Sequence, residues 1–298
     1  MKNILIIGCG LLGSSLLRRI KKKKMANKIY VYDNSRSNIS KIKKLKLPGI
    51  IIKKLENGVV KSDLIILCTP MSEYKNLILK MNKFLSPKTI VTDIGSSKIE
   101  SSRIIKKFLR KDIFWTQSHP ITGSEVSGPE HGKQDIFENK WCVLIKEKNT
   151  KKNHLTKLNK FWKKIGSKVV VMSPEKHDKI FSITSHLPHL IAYNLVKSAQ
   201  DFEKIQHFDL IKYSAGGLRD FSRIAASNEI MWRDIFFNNK QNISKAIDLF
   251  VKNLKSFKKD INSKNNKSIL RKLIQTKKVR LKIIKLKQDV NKPDFGRS

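Results

Sequence analysis

Three clusters of polar residues stand out from a lysine-rich background, and they combine an acid–base group with carboxylate-binding groups. They comprise residues 93–98, residues 119–129, and a third group at residues 185–189, 216–223 and 231–234. His119 opens the second cluster, and histidine is the commonest side chain able to accept a proton near pH 7. Arginines such as Arg223 in the third cluster can hold carboxylates through paired hydrogen bonds. With a hydride acceptor bound nearby, these groups suit the oxidation of an alcohol that also carries a carboxylate, without specifying which one.

A glycine-rich segment near the N-terminus has the residues and the context of a dinucleotide-binding turn. It follows a predicted strand and opens a predicted helix, and its candidate cofactor contacts are Gly8, Gly10, Leu11, Leu12 and Gly13. The first glycine permits the tight turn, the second lets the backbone approach a pyrophosphate, and the third allows close packing of helix and strand. The helix N-terminus adds N–H groups and a positive dipole for the phosphates.

The acid that accompanies such a turn is present as Asp33, which ends the second predicted strand 20 residues after Gly13. A carboxylate there accepts hydrogen bonds from the adenosine ribose and disfavours a 2′-phosphate, so the sequence predicts NAD rather than NADP. Arg36 is near enough in sequence to hold a 2′-phosphate, and NADP therefore stays as the alternative. Thr69 and Pro70, at another strand end, are predicted to contact the cofactor, although an ordinary strand-to-helix turn explains them equally well.

The order of apolar segments predicts an α/β fold with a Rossmann-type doubly wound sheet in the N-terminal part. Strands alternating with helices indicate a parallel sheet; the candidate strands are residues 3–7, 28–32, 63–68, 89–93, 114–117, 141–145 and 168–172. Ser173 and Pro174 then begin a helix. Only helical patterns follow, at residues 174–197, 202–213, 217–226, 230–238 and 241–257 and in a last basic helix with a frayed end at 291–298. The sequence thus predicts a dinucleotide-binding domain over residues 1–172, an all-helical domain over residues 173–287 and a basic tail over residues 288–298.

Charge and cysteine content narrow the class of protein. The net charge of +39 comes from lysines spread along the whole chain, so we interpret it as a compositional bias and expect no nucleic-acid partner. Cys9, Cys68 and Cys142 lie in or beside apolar runs without metal-binding spacing, which indicates thiols in a reducing compartment. Because the apolar runs are shorter than the ~18 residues that suggest a membrane span, a soluble cytoplasmic protein is predicted.

Five segments, taken together and in order, resemble the prephenate/arogenate (cyclohexadienyl) dehydrogenase family. They are the glycine-rich turn, Asp-x-Gly-Ser-x-Lys from residue 93, His-Pro-x-x-Gly-Ser-Glu from residue 119, Ser-His-Leu-Pro-His from residue 185, and Arg-Asp-Phe-Ser-Arg-Ile-Ala-Ala-Ser with Met-Trp-Arg-Asp from residue 219 to residue 234. Each segment is a modest signal alone, but five in register are highly specific. The resemblance implies NAD-dependent oxidative decarboxylation of prephenate to 4-hydroxyphenylpyruvate, or of arogenate to tyrosine, by a homodimer formed through the helical domain.

The resemblance also implies roles for individual residues. His119 would accept the proton of the ring hydroxyl as hydride leaves the same carbon, and Ser96 would hydrogen-bond this histidine, the hydroxyl or the nicotinamide. Arg223 would bind a substrate carboxylate, and Glu125 would pair with an arginine to gate the pocket. The other substrate-binding candidates are Ser124, His186, His189, Arg219, Asp220 and Trp232, the last from either the same chain or a partner subunit. A neutral His119 is required, and we expect the many surrounding lysines to lower its pKa.

Plainer interpretations stand beside these roles. His186 and His189 lie three apart on a predicted helix, but no third ligand is evident, so no metal site is predicted. The histidines without a partner pattern, predicted to be surface residues, are His131, His154, His177 and His207. Trp232 is equally well explained as a core residue. The rival functions are another NAD(P)-linked dehydrogenase with a helical second domain and, in a different class, a basic nucleic-acid-binding protein. The five segments between residues 8 and 234 do not show whether the substrate carries the pyruvyl side chain of prephenate or the alanyl side chain of arogenate.

Overall fold

The alternation of apolar strands and amphipathic helices in the first part of the chain builds a parallel sheet. The computed structural model describes residues 2–207 and 209–286. Five strands pair in the order β3-β2-β1-β4-β5, all parallel; they are β1 (Asn3–Ile7), β2 (Lys28–Tyr32), β3 (Ile50–Ile51), β4 (Leu64–Leu67) and β5 (Ile90–Asp93). This is the doubly wound order in which the strand sequence reverses beside β1, and ligands bind at that reversal.

Helices cover both faces of this sheet, because successive side chains of a buried strand point to opposite sides. Ile4 and Ile6 of β1 belong to one apolar cluster, which also contains residues of α1, whereas Leu5 and Ile7 belong to another, which contains residues of α3 and α4. The helices of this part are α1 (Leu11–Lys22), α2 (Arg36–Lys44), α3 (Leu55–Val59), α4 (Tyr74–Met81) and α5 (Ile99–Phe108). The predicted Rossmann-type sheet is therefore confirmed.

A second, three-stranded sheet follows, made of β6 (Ser118–Pro120), β7 (Trp141–Ile145) and β8 (Lys168–Met172), with α6 (Lys152–Ile165) between the last two strands. β6 runs antiparallel to β7, and β7 runs parallel to β8. The strand predicted over residues 114–117 is wrong. That segment makes one bridge to β5 between Trp115 and Val91, and the ladder with β7 begins only at Ser118. His119, which follows the strand predicted over residues 114–117, instead lies within β6.

Helices alone follow β8 in the described residues. Ser173 caps α7 (Pro174–Phe181), as predicted, by accepting a hydrogen bond from the backbone N–H of Lys176. A π-helical turn (Ser182–His186) joins α7 to α8 (Leu187–Gln206), and α9 (Gly216–Ala225) and α10 (Glu229–Asn238) complete this part. The predicted helix over residues 202–213 is wrong, because α8 continues without a break to Gln206. It ends where His207 adopts a positive φ of 55°, and Ile211–Tyr213 form only a 3₁₀ turn.

The chain divides after Ile243 into two compact units, and the division falls within α11 (Lys240–Asn262). In the second unit Asn265 caps α12 (Asn266–Lys285), and Lys272 pairs with Asp260 at 2.6 Å. The boundary predicted after residue 172 stays a prediction, and the predicted tail at 288–298, with its frayed end, lies outside the described residues. Within the part of the chain that the structure describes, no helix is both long and apolar enough to cross a membrane.

A fully buried ion pair joins the two sheets near the carboxyl end of β5. The ammonium group of Lys98 lies 2.6 Å from Asp93 Oδ2 and donates a second hydrogen bond to the carbonyl of Ser118 at 2.8 Å. The same carboxylate accepts hydrogen bonds from Tyr74 Oη and Trp115 Nε1. Both side chains of the pair are inaccessible to solvent, so each charge depends on the other for compensation.

Replacing Asp93 with asparagine should destabilise the protein strongly, because it leaves the Lys98 ammonium buried without a counter-charge. We expect the free energy of unfolding to fall by about 3–5 kcal/mol, measured by urea denaturation at pH 7.5. Asp112→Asn is the matched control, since Asp112 pairs with Arg110 at an exposed site and its loss should change the unfolding midpoint little. Equal midpoints for the two variants would contradict the prediction.

Candidate active site

The three glycines of the first turn have different surroundings. Gly8 has a φ of +86°, and a Cβ there would lie 2.7 Å from the carbonyl oxygen of Cys68. A Cβ at Gly13 would lie 2.1 Å from the carbonyl oxygen of Gly8, so only glycine lets α1 pack this closely on β1. A Cβ at Gly10 would meet no atom within 4 Å. Gly8 and Gly13 are thus required by the fold, whereas Gly10 borders open space that a ligand can enter.

The residues around Gly10 fit a dinucleotide. Helix α1 begins at Leu11, followed by the half-buried Leu12, and no side chain caps its N-terminus, so its first N–H groups are available to a phosphate. The Asp33 carboxylate accepts hydrogen bonds from the backbone N–H of Cys9 at 2.7 Å and of Ser35 at 2.8 Å. Asn38 Nδ2 donates to Oδ2 of the same carboxylate at 3.1 Å. Asp33 is therefore fixed at the end of β2, and one lone pair on Oδ1 is left for a ribose hydroxyl.

The turn after β4 lies at the same edge of the sheet. Thr69 Oγ1 is buried without a hydrogen-bond partner among the described residues, and Pro70 is exposed. A buried hydroxyl without a partner is costly unless a ligand or water completes it. This turn also meets α10, because the backbone N–H of Ser72 donates to Asp234 Oδ2 at 2.9 Å. The helical segment is thereby held over the carboxyl end of β4.

His119 lies within β6, buried to 8% exposure, where its Nδ1 atom is 2.8 Å from Nε2 of His177. Burial lowers the pKa of His119 well below its ordinary value, and the nearby His177, Lys98 and His186 lower it further. The side chain is therefore neutral at pH 7. The expected lowering of this pKa is found and Lys98 contributes to it, but burial rather than a field of many lysines is its main cause.

His177 was predicted to be a surface residue, and this prediction is wrong. Its side chain is fully buried, and its Nδ1 atom lies 2.7 Å from Asp178 Oδ1. The Asp178 carboxylate also accepts hydrogen bonds from the backbone N–H groups of Lys98 and Ile99, at 2.8 and 2.9 Å, at the start of α5. Burial lowers the pKa of His177 well below its usual value and raises that of Asp178 to about 6. His154, also predicted at the surface, is likewise buried.

His186 lies at the end of the π-helical turn and is fully buried. Its Nδ1 atom is 3.1 Å from the amide nitrogen of Asn239, which can only donate, so Nδ1 is the acceptor and Nε2 carries the proton. Burial lowers the pKa of His186 to about 4. Ser96, after β5, is half-buried, and no hydrogen bond to its hydroxyl is found among the described residues. The Nδ1 partner of His119 is thus His177 rather than Ser96.

His189 and Trp232 stack face to face with ring centroids 3.8 Å apart. Trp232 is 4% exposed and packs within its own chain, and its Nε1 donor is buried with no partner among residues 2–207 and 209–286. His189 is half-buried and donates from Nδ1 to the carbonyl of Ser185 at 3.0 Å, which leaves Nε2 as an acceptor. Burial lowers the pKa of His189, and the charge of Arg223 contributes.

Arg223 on α9 reaches across to the loop after β6. Its Nη1 atom lies 3.5 Å from Glu125 Oε2, and the hydroxyl of Ser124 donates to the same oxygen at 3.1 Å. Backbone hydrogen bonding within its own loop is the main cause that lowers the pKa of Glu125, and Arg223 adds to it. Arg219 lies one turn before Arg223 on α9 and is exposed, and the neighbouring Asp220 is half-buried. The pair at 3.5 Å is long and partly exposed, so an anion can replace Glu125 at little cost.

Hydrogen bonds and ring contacts connect His119, through His177, Asp178 and Asn239, to the predicted residues His186, Trp232 and His189. Sequence reasoning assigned no site role to His177, Asp178, Asn239 or the adjoining Lys98. The adjacent titratable pair His177-Asp178, in the first helix after the last strand, was the available signal for two of them. In the part of the chain that is described, no group of three or more metal-ligating side chains is positioned to hold an ion.

A Rossmann sheet with a nucleotide-binding turn, a buried neutral histidine and a helical segment that carries arginines define a dinucleotide-dependent oxidoreductase. Two family models match the chain: the prephenate dehydrogenase nucleotide-binding domain over residues 16–171 and the prephenate dehydrogenase dimerization domain over residues 173–275. The chain belongs to the prephenate dehydrogenase family. It is an NAD-linked dehydrogenase.

Relatives and solved structures agree with this assignment. The chain is 31% identical to a cyclohexadienyl dehydrogenase of Zymomonas mobilis over 94% of its own length and 95% of the relative. It is 30% identical to a prephenate dehydrogenase of Bacillus subtilis, covering 90% of this chain and 72% of that one. The crystal structure of prephenate dehydrogenase from A. aeolicus, in complex with hydroxyphenyl propionate and NAD+, superposes with a TM-score of 0.88 at 35% identity, covering 95% and 98% of the two chains.

Alanine substitutions at Gly10 and Gly13 should separate nucleotide binding from folding. Gly10→Ala meets no protein atom, so we expect an unchanged melting temperature but NAD binding weakened at least tenfold, about 1.4 kcal/mol. Gly13→Ala forces its Cβ against the Gly8 carbonyl and should lower stability by about 1–3 kcal/mol. Thermal unfolding and calorimetric titration with NAD measure the two effects. Unweakened binding by Gly10→Ala would show that the cofactor does not approach this backbone.

Proposed function

We propose that this protein catalyses the NAD-dependent oxidative decarboxylation of prephenate to 4-hydroxyphenylpyruvate, of arogenate to tyrosine, or of both. The observation that carries the proposal is His119, a buried neutral histidine held by a hydrogen bond at Nδ1, in a site that also contains Arg223. The hydroxyphenyl propionate and NAD+ bound to the A. aeolicus enzyme support an aromatic-ring acid as ligand. Prephenate and arogenate share the ring that reacts and differ only in the side chain.

The cofactor site is proposed to use the residues of the nucleotide-binding turn. Gly8 and Gly13 shape this turn, Gly10 admits the pyrophosphate to the N–H groups at Leu11 and Leu12, and Asp33 accepts a ribose hydroxyl. Thr69 and Pro70 border the cofactor from the next strand, and the unpartnered Thr69 hydroxyl supports this. When bound, the nicotinamide supplies the acceptor for the hydride that leaves the hydroxyl-bearing carbon of the substrate.

His119 then acts as the general base. As the hydride leaves the substrate carbon, the hydroxyl becomes a ketone and its proton passes to the imidazole of His119. The ring carboxylate departs as CO2, and the electron pair of the broken carbon–carbon bond moves through the ring to the ketone oxygen. The resulting phenolate takes the proton back from His119 and becomes a phenol. Aromatisation makes this departure favourable, so the protein mainly positions the reactants and holds one proton before returning it. Ser96 is proposed to bind the substrate hydroxyl or the nicotinamide, which its hydroxyl, without a hydrogen bond among the described residues, is free to do.

The helical residues are proposed to bind the rest of the substrate. Arg223 exchanges the long contact with Glu125 for a substrate carboxylate, and Glu125 thereby gates the site. The Nε1 donor of Trp232 is buried without a partner among the described residues, which supports a contact to a substrate oxygen. His186, whose other ring nitrogen interacts with the backbone of Ser96, is proposed to line the same pocket. His189, Ser124, Arg219 and Asp220 complete the wall of this pocket.

Assembly and location follow from the family and from cysteine chemistry. We propose a homodimer, because the matched model over residues 173–275 describes a dimerization domain. A cytoplasmic location is proposed because all three cysteines are free thiols, as expected in a reducing compartment. The dispersed positive charge is proposed to favour the approach of an anionic substrate rather than to bind nucleic acid.

The reaction is tested by following NAD reduction with prephenate and, separately, with arogenate. His119→Asn removes the base and should lower kcat by about 10²–10⁴-fold while leaving NAD binding intact. His131→Asn, at an exposed position, is the control and should retain full activity. The proposed function would be refuted if the protein reduced neither NAD nor NADP with prephenate and also reduced neither with arogenate.

The pH dependence of kcat/KM should report the environment of His119. Since the neutral imidazole is active and its pKa lies well below the ordinary value, activity should persist as the pH falls through 6.5 and decline only in more acidic buffer. The measurement is an initial-rate series from pH 8 to the lowest pH at which the protein remains folded. A loss of half the activity near pH 6.5 would mean that the base is solvated rather than buried.

A further inference from the structure

We infer that His177 and Asp178 are positioning residues that fix the tautomer of His119, so that Nε2 is the atom that accepts the substrate proton. The inference rests on the proposed function for the role of His119 as base. It goes beyond that function by assigning the proton-accepting nitrogen and the two residues that determine it. Neither His177 nor Asp178 needs to contact the substrate for this purpose.

The three side chains form a linear hydrogen-bonded chain. Nδ1 of His119 lies 2.8 Å from Nε2 of His177, and Nδ1 of His177 lies 2.7 Å from Oδ1 of Asp178. All three residues are buried, and Phe181 covers the two imidazoles, with ring centroids 5.1 Å from His119 and 4.5 Å from His177. Water therefore has little access to these hydrogen bonds, so the donors and acceptors of the three side chains must satisfy one another.

The far end of this chain is a carboxylate that can only accept. Asp178 receives the backbone N–H groups of Lys98 and Ile99 at the N-terminus of α5, where the positive end of the helix dipole favours a negative charge. The carbonyl of Asp178 accepts a hydrogen bond from Asn239 at 2.8 Å, which fixes its backbone as well. At neutral pH the carboxylate is ionised, because its pKa is about 6.

The direction of every hydrogen bond in the chain follows from that carboxylate. Because Asp178 accepts, Nδ1 of His177 must donate, and a neutral His177 then has no proton on Nε2. Nε2 of His177 is therefore an acceptor, so Nδ1 of His119 must donate to it. A neutral His119 with its proton on Nδ1 has an unprotonated Nε2, and among the described residues no hydrogen bond occupies that atom. The lone pair of Nε2 is free for the substrate hydroxyl.

The same arrangement stabilises the product of proton transfer. When Nε2 takes the proton, His119 becomes a buried cation in a site where desolvation opposes charge. Its Nδ1–H remains hydrogen-bonded to His177, whose other nitrogen contacts the Asp178 carboxylate. The chain thus connects a developing positive charge to a fixed negative one without moving a second proton.

The tautomer can be measured directly, without any substrate. The full-length protein labelled with ¹⁵N at histidine gives two-bond ¹H–¹⁵N correlations that distinguish a protonated Nδ1 from a protonated Nε2. We expect His119 with Nδ1 protonated, assigned by its loss in His119→Asn. In His177→Leu, which removes the acceptor, His119 should lose this single tautomer. A wild-type His119 protonated on Nε2 would overturn the inference, whatever the enzyme activity proves to be.

Kinetics of two variants at residue 177 test the consequence. His177→Leu cannot accept from His119, and kcat should fall on the order of 100-fold with little change in KM or in NAD binding. His177→Gln keeps a carbonyl acceptor and an amide donor, and it should restore kcat to within about tenfold of wild type. His154→Gln is the matched control, because His154 is also buried but does not belong to the hydrogen-bonded series His119–His177–Asp178, and it should leave kcat unchanged.

The outcomes separate the two proposals. Wild-type protein that reduces no cofactor with either substrate refutes the proposed function, while the spectrum still decides the tautomer. An active wild type with unchanged kcat in His177→Leu overturns the positioning role. If His177→Leu does not fold, the wild-type spectrum and the activity of His177→Gln decide the question together. A His119 protonated on Nδ1 in the wild type, with a His177→Gln variant as active as wild type, supports the inference. An inactive His177→Gln variant opposes it.

Discussion

The rest of the site depends on the ion pair and the hydrogen bond made by the buried ammonium group of Lys98. Its side chain joins Asp93 at the end of β5 to the carbonyl of Ser118 in β6, one residue before His119. Its backbone N–H reaches Asp178 on α7. One residue thus links the parallel sheet, the second sheet and the first helix that follows them. Because the charge is completely desolvated, these partners cannot move apart without exposing an uncompensated ion to an apolar interior.

Burial serves chemistry here as well as stability. A histidine in water is half charged near pH 6.5, whereas the desolvated imidazoles of His119, His177 and His186 all favour the neutral form. Neutral imidazoles can be given a defined donor and acceptor by their neighbours, which a mixed population of charged and uncharged rings cannot. Asp178 and Asn239 provide those neighbours, and each is itself held by other hydrogen bonds. Order in the site therefore originates in groups that do not face the substrate.

The parts of the fold that local pattern determines were predictable from the sequence. β1, β2, β7 and β8 have the predicted bounds, because apolar runs between turn residues leave few alternatives. The strand predicted over residues 114–117 is wrong for a structural reason. Phe114 and Trp115 have the composition of a strand, but hydrogen-bonded pairing with β7 begins only at Ser118. His177 was misplaced for a different reason. Its partner His119 is 58 positions away, and no local pattern reports a contact of that range. Residues whose function depends on distant neighbours are the ones that a single sequence conceals.

The π-helical turn at Ser182–His186 has a geometric consequence for the helix that follows. Such a turn accommodates one residue more than an α-helical turn, so every later side chain is rotated by about 100° around the axis. His189 stacks on Trp232 only in this rotated phase. A lineage that deleted one residue here would regain a regular helix and at the same time turn this face of α8 away from the site. The irregularity is therefore a phase adjustment, and it ties the length of this segment to the composition of the pocket wall.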